Sequence, residues 1–293
     1  MHALLRISIF AVLVNGCSSP AEAPPTTATP AAATTPALID IPPAPNQRRH
    51  ERERARDVAR IDLDAIAERG YIRVLVARSA THFYTYEDAH SGKAVDAGVA
   101  LARAISKQLG KNVTPVFIET REPDLIPHLL TGKGDVAANL LLTFARDEQV
   151  AFAPPIRTGI RELVVTSASA PLVSLEDIGT RTVHVRQDSD HHASLLRLNE
   201  QLRKIDRPIA RIVLARNTLT DEELMEQVSK GQIPATIVDD YVFERRRAQL
   251  PNVVANPDIA VSQDGSLSWV TRTDAPQLRE FLKQFFTAHR LTF

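Results

Sequence analysis

Beyond residue 70, short β-branched runs alternate with segments of helical period, and this alternation restricts the fold more than any other feature. Residues 71–77 read Tyr-Ile-Arg-Val-Leu-Val-Ala, a strand introduced by Gly70. Residues 96–109 carry apolar side chains at helical spacing, with Gly110 at the expected C-cap. A strand is expected at 113–118 and a short helix at 123–130. Gly132-Lys133-Gly134 then leads into a strand at 135–140. The rhythm restarts with a strand at 182–186, a helix at 190–204 and a strand at 210–214. Thr220 opens a helix with Glu223 three residues on, a capping box, and Gly231 closes it. A strand at 235–238, a helix at 240–249, a strand at 268–272 and an amphipathic helix at 275–288 complete the series. Strands separated by helices call for parallel βαβ units, whose ligands gather at the carboxyl ends of the strands. The expected fold class is therefore α/β. One lobe comprises 61–162 plus 259–293, the other 163–258, joined around 160–166.

The first sixty residues have a different character. His2 and Arg6 precede an apolar run over 4–14 that is too short to cross a bilayer, and Gly16 precedes Cys17. Residues 1–16 are thus expected to be a signal peptide. The arrangement resembles a bacterial lipobox, which implies that Cys17 bears the lipid; an ordinary signal peptide with an incidental cysteine is the alternative. Cys17 is the single cysteine, so no intramolecular disulfide can form. Residues 17–46 are rich in Pro, Ala and Thr, a composition that cannot offset its ordering entropy, and are expected to be a disordered tether. Residues 47–60 place Glu and Arg at helical spacing, suggesting a solvated lead-in helix.

Charge narrows the partner class. The chain has 35 basic and 35 acidic residues, a balance that gives no sign of a nucleic-acid partner, which would want a basic face.

Three ordered motifs carry a family resemblance. They are Leu125-Ile126-Pro127-His128-Leu129-Leu130-Thr131-Gly132-Lys133-Gly134-Asp135, then Thr143-Phe144-Ala145-Arg146, then Phe152-Ala153-Pro154-Pro155. This series resembles the extracellular solute-binding proteins that take polar amino acids, over residues 61–289. Phe83-Tyr84-Thr85-Tyr86, residues 220–231 and Ser268-Trp269-Val270 narrow it further. They resemble the N-terminal binding module of the membrane-bound lytic murein transglycosylases of type F. The resemblance implies a periplasmic-binding-protein-like architecture, with two α/β lobes that close a hinged cleft on a ligand. The chain ends at Phe293, so the binding module is expected without a catalytic domain and without enzymatic activity.

The same resemblance assigns the site. It places the ligand α-carboxylate on Arg146, whose planar guanidinium suits bidentate hydrogen bonding, with Thr143 as an added donor. Asp239 would accept from the α-amino group, with Asp240 read as the N-cap of the next helix; the two roles could be exchanged. Tyr86 would stack on the ligand, with Phe83 beside it. Ser189 would offer the helix N-terminus to an anion. Asp188 stands where the family commonly has glycine, and Asp190 follows. These carboxylates disfavour a simple α-amino acid and favour an amine-rich peptide or muropeptide. His184, His191 and His192 lack metal-ligand spacing, since neighbouring helical residues point about 100° apart. No metal or cofactor is expected, and His191 and His192 are read as a polar helix start exposed at the cleft mouth. Trp269 is read as packing near the hinge.

The expected protein is a monomer anchored by lipid in the periplasm, on the outer membrane. It binds a small zwitterionic ligand, for an ABC transporter permease or for cell-wall machinery. The alternatives are a dehydratase on the same fold and an envelope lipoprotein whose cleft has lost its ligand.

Overall fold

The computed structural model describes residues 62–142 and 144–289. The signal peptide, Cys17, the tether, the lead-in helix and Thr143 lie outside the described residues. All described residues belong to one compact unit, Pro45–Phe293.

The first part runs α1 (Leu63–Arg69), β1 (Tyr71–Val76), β2 (Tyr84–Tyr86), β3 (Ala89–Ser91), α2 (Lys93–Leu109), β4 (Thr114–Glu119) and α3 (Leu125–Leu130). It continues through β5 (Val136–Leu141), α4 (Phe144–Asp147) and β6 (Val150–Phe152). A long strand, β7 (Arg157–Ser167), leads to β8 (Thr182–Arg186), α5 (Asp190–Lys204), β9 (Arg211–Ala215) and α6 (Asp221–Ser229). Next come β10 (Ala235–Asp239), α7 (Asp240–Arg246) and β11 (Val253–Val254). A second long strand, β12 (Ala260–Arg272), and α8 (Pro276–Ala288) close the chain.

One sheet runs in the order β4-β1-β5-β12-β7-β10-β8-β9. β1 lies parallel to β4 and β5, and β8 lies parallel to β9 and β10. These are the βαβ units that the alternating pattern calls for. β7 and β12 pair antiparallel in the middle, with three register shifts between Ala260 and Leu267. Each half of the sheet has its own apolar core. In the first, α2 presents Ala94, Ala97, Leu101 and Ile105 at one-face spacing to Ile72, Val74 and Trp269. In the second, Leu195, Leu198 and Leu202 of α5 pack with Val183, Val185 and Ile237.

The long strands differ from expectation. The strand expected at 268–272 is the tail of the 13-residue β12, and the joint at 160–166 lies within the 11-residue β7. Ser262-Gln263-Asp264-Gly265 carries no strand pattern, yet the ladder passes through it because the register slips and Asp264 takes φ 61°. Asp240 is not the N-cap: Asp239 occupies that position, without a side-chain capping bond, and Asp240 is the first helical residue. Asp240 instead accepts a hydrogen bond from Arg161 Nε at 3.2 Å.

The Leu-x-Gly-x-Gly-Asp turn before β5 has a steric and an electrostatic basis. A Cβ on Gly134 would stand 2.4 Å from Leu75 Cγ, so only glycine lets the chain pass beneath β1. Asp135 is buried and pairs with the guanidinium groups of Arg69 and Arg73, and accepts from Arg73 N at 2.7 Å. Asp135→Ala leaves two half-buried guanidinium groups without that partner and is expected to cost about 3–5 kcal/mol. Urea unfolding should show a lower midpoint at unchanged slope.

Candidate functional site: a carboxylate-lined cavity between the two halves

A cavity of about 100 Å³ lies at the carboxyl ends of β1, β5, β8 and β10. Its wall from the first half includes Arg78, Ser79, His82, Glu122 and Asn139. From the second half come Arg186, Asp190, His191, Asp221, Glu222, Asp239 and Tyr241. These positions follow strand ends because a parallel sheet leaves a crevice where its strands stop.

Polar bonds span the two halves. Ser79 Oγ donates to Glu222 Oε1 at 3.0 Å, and His82 Nε2 lies 3.0 Å from the Tyr241 hydroxyl. Arg186 pairs with Glu122 at 2.9 Å, and Arg78 pairs with Glu223 at 3.1 Å. Arg146 Nη1 donates to Asp190 Oδ2 at 2.9 Å and to the Leu141 carbonyl at 2.9 Å. Such contacts can separate without disturbing either apolar core, which is what a cleft that opens and closes requires.

A relay of charged groups runs through the second wall. Arg186 reaches Asp221 at 3.0 Å. His191 lies between two carboxylates, with Nδ1 3.7 Å from Asp221 and Nε2 3.2 Å from Asp239. Burial alone would push the His191 imidazole down, but Asp221 and Asp239 outweigh it and hold its pKa well above 6.5. Burial would likewise raise Asp221, yet Arg186 and His191 keep it well below the usual carboxylate range. Burial dominates at His82, pulled down to about 4, with only part of that offset by Asp239. It also dominates at Glu122, which is raised against the pull of Arg186. Tyr241 is raised, first by burial and then by Asp239.

The residues singled out in the sequence are placed as follows. Asp239 is in the cavity wall. Arg146 is not among the cavity-lining residues, and its guanidinium bonds Asp190, which is. Ser189 is the N-cap of α5: its Oγ accepts from His192 N and donates to the Arg186 carbonyl, so its hydroxyl serves the helix end. Phe83 is a core residue, 1% exposed, 6.1 Å from the Phe117 ring. Tyr86 lies on the short β2–β3 hairpin at 65% exposure. Ser189, Phe83 and Tyr86 are not among the cavity-lining residues. The Phe-Tyr-Thr-Tyr run sits in a side hairpin instead of directly following β1, and that detour carries both aromatics away.

His191 corrects another expectation, since it is 7% exposed and not at a solvated cleft mouth. Tyr241 supplies an aromatic group to the wall. Its position two residues after Asp239, just past a strand end, was the available signal. Trp269 is fully buried, packs on Phe286 and donates Nε1 to Asn139 Oδ1 at 3.2 Å. That bond holds Asn139 in the cavity wall at φ 57°, a conformation asparagine tolerates better than most residues. Among the described residues, no cluster of His, Cys, Asp or Glu is arranged to hold a metal ion.

Two α/β lobes with a polar cavity at facing strand ends define a binding protein of the periplasmic type. Residues 72–291 match the bacterial extracellular solute-binding proteins, family 3, and the chain belongs to that family. Over 226 residues it is 31% identical to membrane-bound lytic murein transglycosylase F of Desulfosudis oleivorans, covering 75% of this chain and 46% of that one. The chain thus spans less than half the length of this curated relative. Holo ArgBP from T. maritima superposes with a TM-score of 0.60 at 22% identity, covering 77% of this chain and 92% of its own. AbpA of Streptococcus pneumoniae, an amino acid ABC transporter substrate-binding protein bound to L-arginine, superposes with a TM-score of 0.60. It is 18% identical and covers 77% of this chain and 91% of its own. These structures share the fold. The family is extracytoplasmic, and no helix among the described residues is long and apolar enough to cross a membrane.

The raised His191 value has a signed consequence. Its stabilisation is complete below the unfolded value of 6.5 and is lost as pH climbs through the higher folded value. His191→Gln should therefore be less stable than the unaltered protein in mildly acidic buffer. In urea titrations the two midpoints should converge as the buffer is made alkaline; a gap that widens with pH would contradict the assignment.

Proposed function

We propose that the protein is an extracytoplasmic solute receptor without enzymatic activity, for an amine-bearing polar solute of the amino-acid-like, small-peptide or muropeptide class. The observation that carries this reading is the cavity, whose wall is shared between both lobes and rich in carboxylates. A ligand touching both walls binds the closed form better than the open one, and that difference drives closure. The proposed lobe division is 61–162 with 259–293, against 163–258, and the separate apolar cores of the two sheet halves support two lobes. Asp239 is the proposed amine acceptor, held ready by Tyr241 and His191.

The non-enzymatic reading is supported by the family match and by structural neighbours that are binding proteins. Family membership supports delivery to an ABC-type transporter. The 31% identity to a lytic murein transglycosylase supports the second role, reporting cell-wall fragments to envelope machinery. Anchoring through Cys17, with 17–46 as the spacer, places the receptor at the periplasmic face of a membrane as a monomer.

A thermal-shift screen with amino acids, dipeptides and muropeptides tests the reading. A bound solute at a hundred times its Kd should add about 2.7 kcal/mol to stability. Asp239→Ala should remove most of the resulting rise in Tm, and a full rise in that variant would misplace the site. Separately, Cys17→Ser should move the protein from the detergent phase to the aqueous phase on Triton X-114 partitioning. Retention in the detergent phase would refute the anchor.

A further inference from the structure

We propose that the cavity selects an organic ammonium ion that carries no neighbouring carboxylate, with Glu222 joining Asp239 in receiving the ammonium group and Asp190 excluding the carboxylate. This rests on the solute-receptor reading and names the ligand chemistry within it.

Both guanidinium groups in the cavity lining, and Arg146 bonded to the lining residue Asp190, are already matched by a carboxylate of the chain. Arg146 bonds Asp190 at 2.9 Å, Arg186 bonds Glu122 at 2.9 Å, and Arg78 bonds Glu223 at 3.1 Å. Asp190 is also the first residue of the 15-residue helix α5, at the positive end of its dipole. The two features that would otherwise attract a ligand carboxylate are thus both taken, the guanidinium by Asp190 and the helix N-terminus by the Ser189 cap with Asp190 beside it. A carboxylate that is to reach Arg146 has to displace Asp190 and leave it unpaired in a lining already rich in carboxylates.

The acidic side is not balanced in the same way. Glu222 is 3% exposed, lines the cavity and, among the described residues, accepts only from Ser79 Oγ at 3.0 Å. Among the described residues, no arginine, lysine or histidine nitrogen lies within ion-pairing distance of it. A buried carboxylate with a single neutral donor is costly, and an ammonium group brought to it recovers much of that cost. The lining as a whole leans the same way, with five carboxylates against two guanidinium groups and the His191 ring. The volume of about 100 Å³ admits the slender alkylammonium end of such a molecule.

Matched pairs that differ by one carboxylate test this on the full chain by titration calorimetry: agmatine against L-arginine, and cadaverine against L-lysine. The decarboxylated member of each pair should bind at least tenfold tighter. Glu222→Gln should weaken agmatine binding at least tenfold, while circular dichroism and Tm without ligand report an intact fold. Asp190→Ala, in which Ser189 still caps α5, frees Arg146 and should improve L-arginine binding at least tenfold, closing or reversing the preference. Equal or tighter binding of L-arginine by the unaltered protein overturns the inference. So does an arginine-to-agmatine ratio unchanged by Asp190→Ala. Failure of all four probes alongside binding of a dipeptide or muropeptide overturns the inference and leaves the receptor reading standing. Failure of every solute overturns both.

Discussion

The antiparallel pairing of β7 with β12 is the constraint on which the rest of the molecule depends. Each half of the sheet is a set of parallel strands with its own apolar core, and these two strands splice the halves into one sheet. The splice is imperfect where Ser262 to Gly265 slips in register, and Gly265 fits closely against Leu141 and Ile160. A ladder with interrupted hydrogen bonds resists bending less than a regular one. The facing strand ends are thereby brought together at a place where the sheet is least stiff. The polar cavity follows from that arrangement.

Charge in the cleft is organised by mutual compensation. Arg186, Asp221, His191 and Asp239 form a relay in which each burial penalty is offset by a neighbour, so the His191 ring stays protonated and the Asp221 carboxyl stays ionised. His82 and Tyr241 are held neutral by the opposite balance, in which burial prevails. The ion pairs across the cleft are partly solvated, and pairs of that kind are worth about 1 kcal/mol or less each. They set which groups a ligand finds available more than they set stability. Arg146 shows the point, because its presence invites a carboxylate ligand and its pairing with Asp190 redirects that invitation.

Regular elements were legible where local pattern and tertiary demand agree. The strand at 182–186, the helix at 190–204 and the capping box at Thr220 appear as their residues predict. The capping box was readable because its hydrogen bonds join residues three apart. The long strands were not, since their polar stretches are held by partners from the other half of the chain. The site divides in the same way. Asp239, assigned from the family resemblance at the end of an apolar strand, does line the cavity. Glu222 and Asp190 look like ordinary acidic residues of a first helical turn, and only the folded chain brings them to Ser79 and Arg146 across the cleft. Phe83 and Tyr86 lie outside the cavity lining, Phe83 in the core and Tyr86 on the two-stranded hairpin, and no local pattern distinguishes those places from a pocket wall.

The sequence by itself determined the α/β class, the family and the βαβ units, because those reside in local periodicity and short ordered motifs. Only the tertiary structure decided which charges meet. Arg146 and Asp190 are separated by forty-four positions and Ser79 and Glu222 by one hundred and forty-three. Which cation neutralises which carboxylate depends on distances of a few ångströms between lobes, and no linear spacing encodes them.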